Sequence, residues 1–260
     1  MMIDLNADLA EGHGAWRIGD DDAMLDLVSS VNIACGFHAG DPAIMDHTVR
    51  RALARGVEIG AHVGFPDLQG FGRRVMQIEP SELAAMIIYQ LGALAGIARA
   101  AGHTMTHMSF HGALGNMVAA DAVMADQMVA AVASFDPRLI IVSSSSRAIE
   151  TAAARCGLPV ATSFLADRAY DDEGLLVPRK LAGSVIHHQA EVLERVRRML
   201  TDGTVVTHSG NLLTMRPASI LLHSDTAGAV ALAGMIRREI EANGGEIVPV
   251  ARQLTRRPAG

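Results

Sequence analysis

Four of the eleven histidines in this 260-residue chain, His38, His62, His111 and His223, stand at or just past the ends of short apolar runs. Runs of four to seven residues rich in Val and Ile, closed by Gly, His, Asp or Pro, read as buried strands. Carboxylates hold matching positions: Asp8 and Glu11 past the first run, Asp167 past the sixth, Asp225 past the seventh. Imidazoles and carboxylates gathered at strand ends suit proton transfer or the binding of a divalent ion. Asp4, Asn6 and Asp8 alternate along the first run, so their side chains leave one face of a strand.

The elements that position these groups follow from the pattern. Strands are expected over 2–6, 31–35, 57–62, 104–110, 139–143, 159–164, 219–223 and 246–250. Helices are expected over 42–55, 80–101, 119–134, 145–156, 190–200 and 226–243, two of them opening on Asp41-Pro42 and Glu79-Pro80. This alternation predicts an irregular (β/α) barrel of about seven parallel strands, with its chemistry at the strands' C-terminal ends. No linker divides the chain, so residues 1–251 read as one domain and 252–260 as a loose tail. Two long polar loops, 67–76 and 166–188, read as lids, binding loops or interface arms.

Composition removes several function classes. Half the residues are hydrophobic and the net charge is only -6, which excludes disorder. The negative balance and 3% aromatic content argue against nucleic acid. Lys180 is the only lysine and follows Arg179, so no phosphate-binding Gly-Lys-Ser/Thr loop exists, and Gly-x-Gly-x-x-Gly is absent too. Two cysteines cannot make a disulfide scaffold and point to a reducing, cytoplasmic setting; the N-terminus lacks a basic, then apolar, leader. The apolar stretch 83–98, bracketed by Glu82 and Arg99, falls short of the roughly 17–25 residues of a span. It reads as a buried helix or as the interface of a homo-oligomer.

Other residues have plainer readings. His103, His107 and His111 would share one face of a strand, but about 13 Å apart at ~3.3 Å per residue, too far to share an ion. His111, at the strand end, is the functional one; His103 and His107 read as structural. Cys35 reads as a small buried hydrophobe. Arg73-Arg74 suits either an anion or a surface ion pair.

Nine segments resemble the LamB/YcsF family, the A-subunits of 5-oxoprolinase. They are Ile3-Asp-Leu-Asn-Ala-Asp-Leu-Ala-Glu11, Asn32-Ile-Ala-Cys-Gly-Phe-His-Ala-Gly-Asp41, Gly60-Ala-His62, Phe71-Gly-Arg73, Tyr89-Gln90, His111-Gly-Ala-Leu114, Ala166-Asp-Arg-Ala-Tyr170, Val177-Pro-Arg179 and His223-Ser-Asp225. The resemblance implies a seven-stranded barrel of the glycoside hydrolase/deacetylase kind. It implies ATP-dependent opening of 5-oxoproline to L-glutamate, with ATP used by the partner B and C subunits, in keeping with the missing phosphate loop. The chain departs from the family pattern at Ser109 (usually Lys), Ser163 (commonly Glu), Gly115, Ser224 and Val63.

On this reading Asp8, Glu11, His38, His62 and His111 are the catalytic groups. Asn6, Asn32, Arg73, Asp167, Arg168, His223 and Asp225 line the substrate, with Arg73 or Arg168 holding its carboxylate. Two alternatives stand beside it. One is a stand-alone metal-dependent amide hydrolase with Asp8, His38 and His62 on a divalent ion; the other is a paralogue that binds without turnover.

Overall fold

The computed structural model describes residues 1–226 and 228–256. Seven parallel strands close into a barrel: β1 (Met2–Leu9), β2 (Ser30–Ala34), β3 (Glu58–Val63), β4 (Met105–Phe110), β5 (Ile140–Ser143), β6 (Val160–Leu165) and, after the hairpin β7 (Thr204–Val206) and β8 (Leu212–Thr214), β9 (Ser219–His223). β9 pairs with both β6 and β1, which completes the ring. A short β10 (Glu246–Ile247) adds to the start of β1, opposite Met2 and Ile3.

The outer faces of the strands carry the apolar core. Ile3, Leu5, Ala7 and Leu9 of β1, Ile33 of β2, Ile59 of β3 and Ile220 of β9 pack under the helices. The covering helices are α1 (Asp21–Leu25), α2 (Pro42–Arg55), α3 (Pro80–Ala101), α4 (Gly112–Ala120), α5 (Ala122–Phe135), α6 (Arg147–Cys156), α7 (Gln189–Asp202) and α8 (Ala229–Ala242). α3 is long and apolar enough to cross a membrane by length and composition. It buries Leu83, Ile87, Leu91, Leu94 and Ala98, while Ile88 and Tyr89 are exposed.

The inner faces are polar toward β1 and β2, while β5 and β6 contribute Ile140, Val142 and Ala161, with Ser163 buried in register with Ser219. Register aligns Asp4 with Ser219, Asn6 with Ser30, and Asp8 with both Asn32 and His223, so these residues share the interior. Ile140, Val142 and Ala161 form a separate small apolar patch with Val250.

Val250 belongs to α9 (Val250–Arg256), and this corrects two expectations. The strand expected over 246–250 ends at Ile247, because Pro249 starts a helix: its carbonyl accepts from the Arg252 and Gln253 amides. The expected loose tail is helical as far as Arg256. It closes the floor of the barrel, where Arg252 pairs with Glu58 at 3.3 Å and Gln253 donates to the Ala218 and Val248 carbonyls. Residues 257–260 of that tail lie outside the described residues.

The helix expected over 119–134 is α5, which starts at Ala122, and α4 before it is not among the expected helices. Asp121 caps α5, accepting from the Val123 and Met124 amides, and the chain turns 117° there. The short hairpin β7–β8 has no counterpart among the expected strands. The helix expected from 226 begins at Ala229.

Candidate active site

A ladder of side chains climbs the barrel interior from Asn6 to the mouth. Asn6 Nδ2 donates to Ser30 Oγ at 2.6 Å. Asn32 Nδ2 donates to Asn6 Oδ1 and Asp8 Oδ1, each at 2.8 Å. His107 Nε2 donates to Asn32 Oδ1 at 3.1 Å. Asn6 and Asn32, expected to meet substrate, therefore hold Asp8 from beneath. His107 is a structural member of the same ladder.

Asp8 Oδ2 faces two imidazoles, His62 Nε2 at 3.4 Å and His223 Nε2 at 3.9 Å. Behind His223, Asp167 meets its Nδ1 at 2.8 Å. Behind His62, Ser109 Oγ lies 2.6 Å from its Nδ1. Burial alone would push the Asp8 carboxyl up, but the facing His62 and His223 outweigh it and hold Asp8 well below the usual carboxylate range. The same balance holds in the dyad: burial opposes both charges, yet each partner's charge prevails, raising His223 and lowering Asp167. Asp8 is thus an ionised acceptor, and Asp167 with His223 is an ion pair.

Above Asp8 sit Glu11, His38 and His111. Glu11 Oε1 lies 3.6 Å from His38 Nε2 and 3.8 Å from His111 Nδ1. His111 Nδ1 is 2.9 Å from His62 Nε2, and its Nε2 donates to the Phe71 carbonyl at 2.8 Å. The His38 and His111 rings stack with centroids 3.8 Å apart. Burial, reinforced by Asp8 and Asp225, pushes Glu11 well above its ordinary value. Burial and neighbouring cationic groups push His38 and His111 well below theirs. Burial thus favours the protonated form of the carboxyl and the neutral form of the two imidazoles beside it, an arrangement able to give a proton and accept one.

The loop 67–76 roofs this cluster. Phe71 stands edge-on to His38 and His111, at 5.9 and 5.4 Å between centroids. Arg73 lies over the Phe71 ring and pairs with Asp225 at 2.7 Å, tying this loop to the one after β9. Arg74 pairs with Asp67 within its own loop. The close roof requires Gly72: at φ +61°, a Cβ there would come within 2.7 Å of His38 Cβ and 2.8 Å of His111 Cδ2.

The loop 166–188 is pinned by Arg168. Its buried guanidinium donates to the Ser184 and Val177 carbonyls at 3.1 and 2.7 Å. Arg168, expected to hold a substrate carboxylate, holds backbone instead, whereas Arg73 stays at the mouth.

Three contributors stand in the quoted family segments but receive no role from sequence reasoning. Gln90, the lone polar residue in the apolar stretch of α3, is buried and clamps both backbone groups of Gly64. A Cβ on Gly64 would lie 2.5 Å from His38 Nδ1, so this clamp fixes the wall behind His38. Phe71 carries a signal only through its motif. Arg179, after β6, feels the charges of Arg73, Asp167, Asp225 and Asp8 and so belongs to the mouth.

The LamB/YcsF family model matches residues 3–255. The chain belongs to the LamB/YcsF family. Its relatives include a 5-oxoprolinase A-subunit of Ralstonia nicotianae, 67% identical across 98% of each chain. Another is a 5-oxoprolinase A-subunit of Pseudomonas syringae pv. tomato, 64% identical over 98% of this chain and 99% of that one. Among solved structures, the lactam utilization protein of Thermus thermophilus superposes with a TM-score of 0.88 at 39% identity, covering 95% of this chain and 99% of that one. A GH113 β-1,4-mannanase, at 12% identity and a TM-score of 0.53 over 93% of this chain and all of the other, shares the fold alone. This LamB/YcsF member thus has the closed seven-stranded barrel that the β/α alternation predicts.

Proposed function

We propose that this chain is the A-subunit of an ATP-dependent 5-oxoprolinase. It opens 5-oxoproline or a related lactam to the amino acid, L-glutamate for 5-oxoproline, and the partner B and C subunits use the ATP. The full-length likeness to relatives named as 5-oxoprolinase A-subunits carries this reading. The site contains the groups such a reaction needs.

Lactam opening adds water to the ring carbonyl and returns a proton to the departing ring nitrogen. Asp8, ionised and facing His62, draws the proton from water through that imidazole. Glu11, held protonated by burial, supplies one to the nitrogen, and His38 and His111 orient it. The Asp167–His223 pair fixes the far side of Asp8. Arg73 and Arg179 give the substrate carboxylate its counter-charge at the mouth. Neither cysteine is paired, in keeping with a cytoplasmic setting.

A second reading, a metal-dependent amide hydrolase acting alone, is favoured by one observation. Donor atoms of Glu11, His38, His62 and His111 lie within 4.8 Å of one another. A dication there would supply acidified water.

The deciding assay mixes this chain with the B and C subunits of a relative and follows glutamate release from 5-oxoproline. Release that needs ATP and all three subunits is the expected result. Release by this chain alone without ATP selects the second reading. An assembled complex with no turnover, beside an active control carrying the family's Lys, overturns both and leaves a binding paralogue.

A further inference from the structure

We propose that Glu11, His38, His62 and His111 form a binding centre for one transition-metal dication of the zinc or cobalt(II) class. The set differs from the one expected from sequence: Glu11 and His111 enter and Asp8 leaves. Asp8 Oδ2 comes near His62 and His223, whereas the other four each offer a donor atom within 4.8 Å of the other three.

The geometry carries the inference. The four side chains come from the loops after β1 and β2 and from β3 and the end of β4, and all are buried. Nearest donor spacings are 2.9 Å from His111 Nδ1 to His62 Nε2, 3.6 Å from Glu11 Oε1 to His38 Nε2 and 3.8 Å from Glu11 Oε1 to His111 Nδ1. Four ligands about 2.1 Å from an ion in a tetrahedral site stand about 3.4 Å apart, so the donors, now within 4.8 Å of one another, must draw in, and one of the stacked His38 and His111 rings must turn for both in-plane lone pairs to reach the ion.

An independent observation points to the same place. The His38 ring is fully buried, and neither of its nitrogens has a hydrogen-bond partner among the described residues. A buried imidazole normally satisfies at least one of them. An ion beside Nε2 gives that lone pair its partner.

The surrounding bonds set the other rings in the required state. His111 Nε2 donates to the Phe71 carbonyl, which leaves Nδ1 as the lone-pair atom, and Nδ1 is the atom turned toward Glu11. Ser109 Oγ holds His62 Nδ1 and leaves Nε2 for the interior. Outer hydrogen bonds of this kind orient metal-binding histidines. Three imidazoles and one carboxylate suit Zn²⁺, Co²⁺ or Ni²⁺ rather than Mg²⁺ or Ca²⁺.

Binding the ion releases the Glu11 proton, so in the loaded centre Glu11 is a ligand and no longer the proton donor of the lactam reading; the test needs no substrate and so separates the two. Metal-free chain is dialysed against Zn²⁺, Co²⁺ or Mg²⁺ and bound metal is measured. One equivalent of zinc or cobalt per chain is expected, with no magnesium and with visible cobalt bands of a low-coordinate nitrogen–oxygen site. His38→Ala and Glu11→Gln should each weaken zinc binding at least about tenfold, since even the loss of an outer hydrogen-bond partner costs about that much. His47→Ala, at an exposed histidine, should leave it unchanged. If a variant fails to fold, stoichiometric displacement of the wild-type cobalt bands by zinc decides. Substoichiometric uptake without those bands, or equal uptake by folded His38→Ala and wild type, overturns the proposal.

Discussion

The barrel buries a carboxylate at each end, and the two are treated differently. At the floor, Asp4 accepts hydrogen bonds from Ser29 at 2.6 Å, from Ser30 at 2.8 and 2.9 Å, and from Ser219 at 2.8 Å. Glu58 beside it has Arg252 and Thr106. At the mouth, Glu11 faces nitrogens only at 3.6 and 3.8 Å, and His38 has no hydrogen-bond partner among the described residues. A buried polar group with its bonds complete fixes structure; one left short of partners is held ready for something that arrives. The floor therefore reads as architecture and the mouth as chemistry, although both bury carboxylates in one barrel.

Substitutions at the two ends test this division. The largest effect is expected for Glu11→Gln, which should lower turnover in the reconstituted reaction about 10²–10⁴-fold, the range for a lost general acid or base. Its melting temperature should barely move. A melting loss as large as that of a floor variant would erase the distinction.

Asp4→Ala should do the reverse. Three hydroxyls lose their acceptor, which costs roughly 2–4 kcal/mol. For a chain of this size that lowers the melting point by roughly 5–15 °C. Turnover per folded molecule should persist.

The floor also carries a pH signature. Burial pushes Asp4 up to about 6 from 3.8, against the opposing bonds from Ser29, Ser219 and Ser30, with Glu58 adding to the rise. The folded state thus keeps this proton longer than the unfolded one. Stability from Asp4 is complete below pH ~4, falls as pH rises to ~6, and is level above that. Asp4→Asn should flatten that fall when denaturant midpoints are measured from pH 4 to 7.

A small shift in stability is also expected for Arg73→Ala. Its pair with Asp225 is partly exposed, so melting should change by no more than the equivalent of about 1 kcal/mol. KM for an acidic lactam should rise more than KM for an uncharged one. Equal changes for both would remove Arg73 from carboxylate recognition.

Much of this is legible from residue order, for reasons that also mark the limits. The alternation of Asp4, Asn6 and Asp8 foretells a shared interior face, because successive side chains of a strand point to opposite sides. Asp41-Pro42 and Glu79-Pro80 mark the starts of α2 and α3 because helix starts are local events. The break at Asp121 is hidden inside an apolar run whose periodicity outweighs one capping residue. The roles of Arg168 and Gln90 are hidden because their partners, backbone groups of Val177, Ser184 and Gly64, carry no side-chain signal. Glu11 and His111 are placed at the mouth by sequence, but that their donors converge and Asp8's does not is a matter of register and loop path.

The closure of the ring between β1 and β9 sets a schedule for synthesis. Asp4 meets its donor Ser219 across 215 residues, and Ser224 Oγ donates to the Asp8 carbonyl across 216. At about 5–20 residues per second, the first strand leaves the ribosome roughly 10–40 seconds before its last neighbour exists. Through that interval the outward Ile3, Leu5 and Leu9 belong to an open edge that chaperones or misplaced strands can engage. A nascent chain stopped anywhere before β9 lacks His223 and a closed ring, so no fragment of it can begin the reaction early.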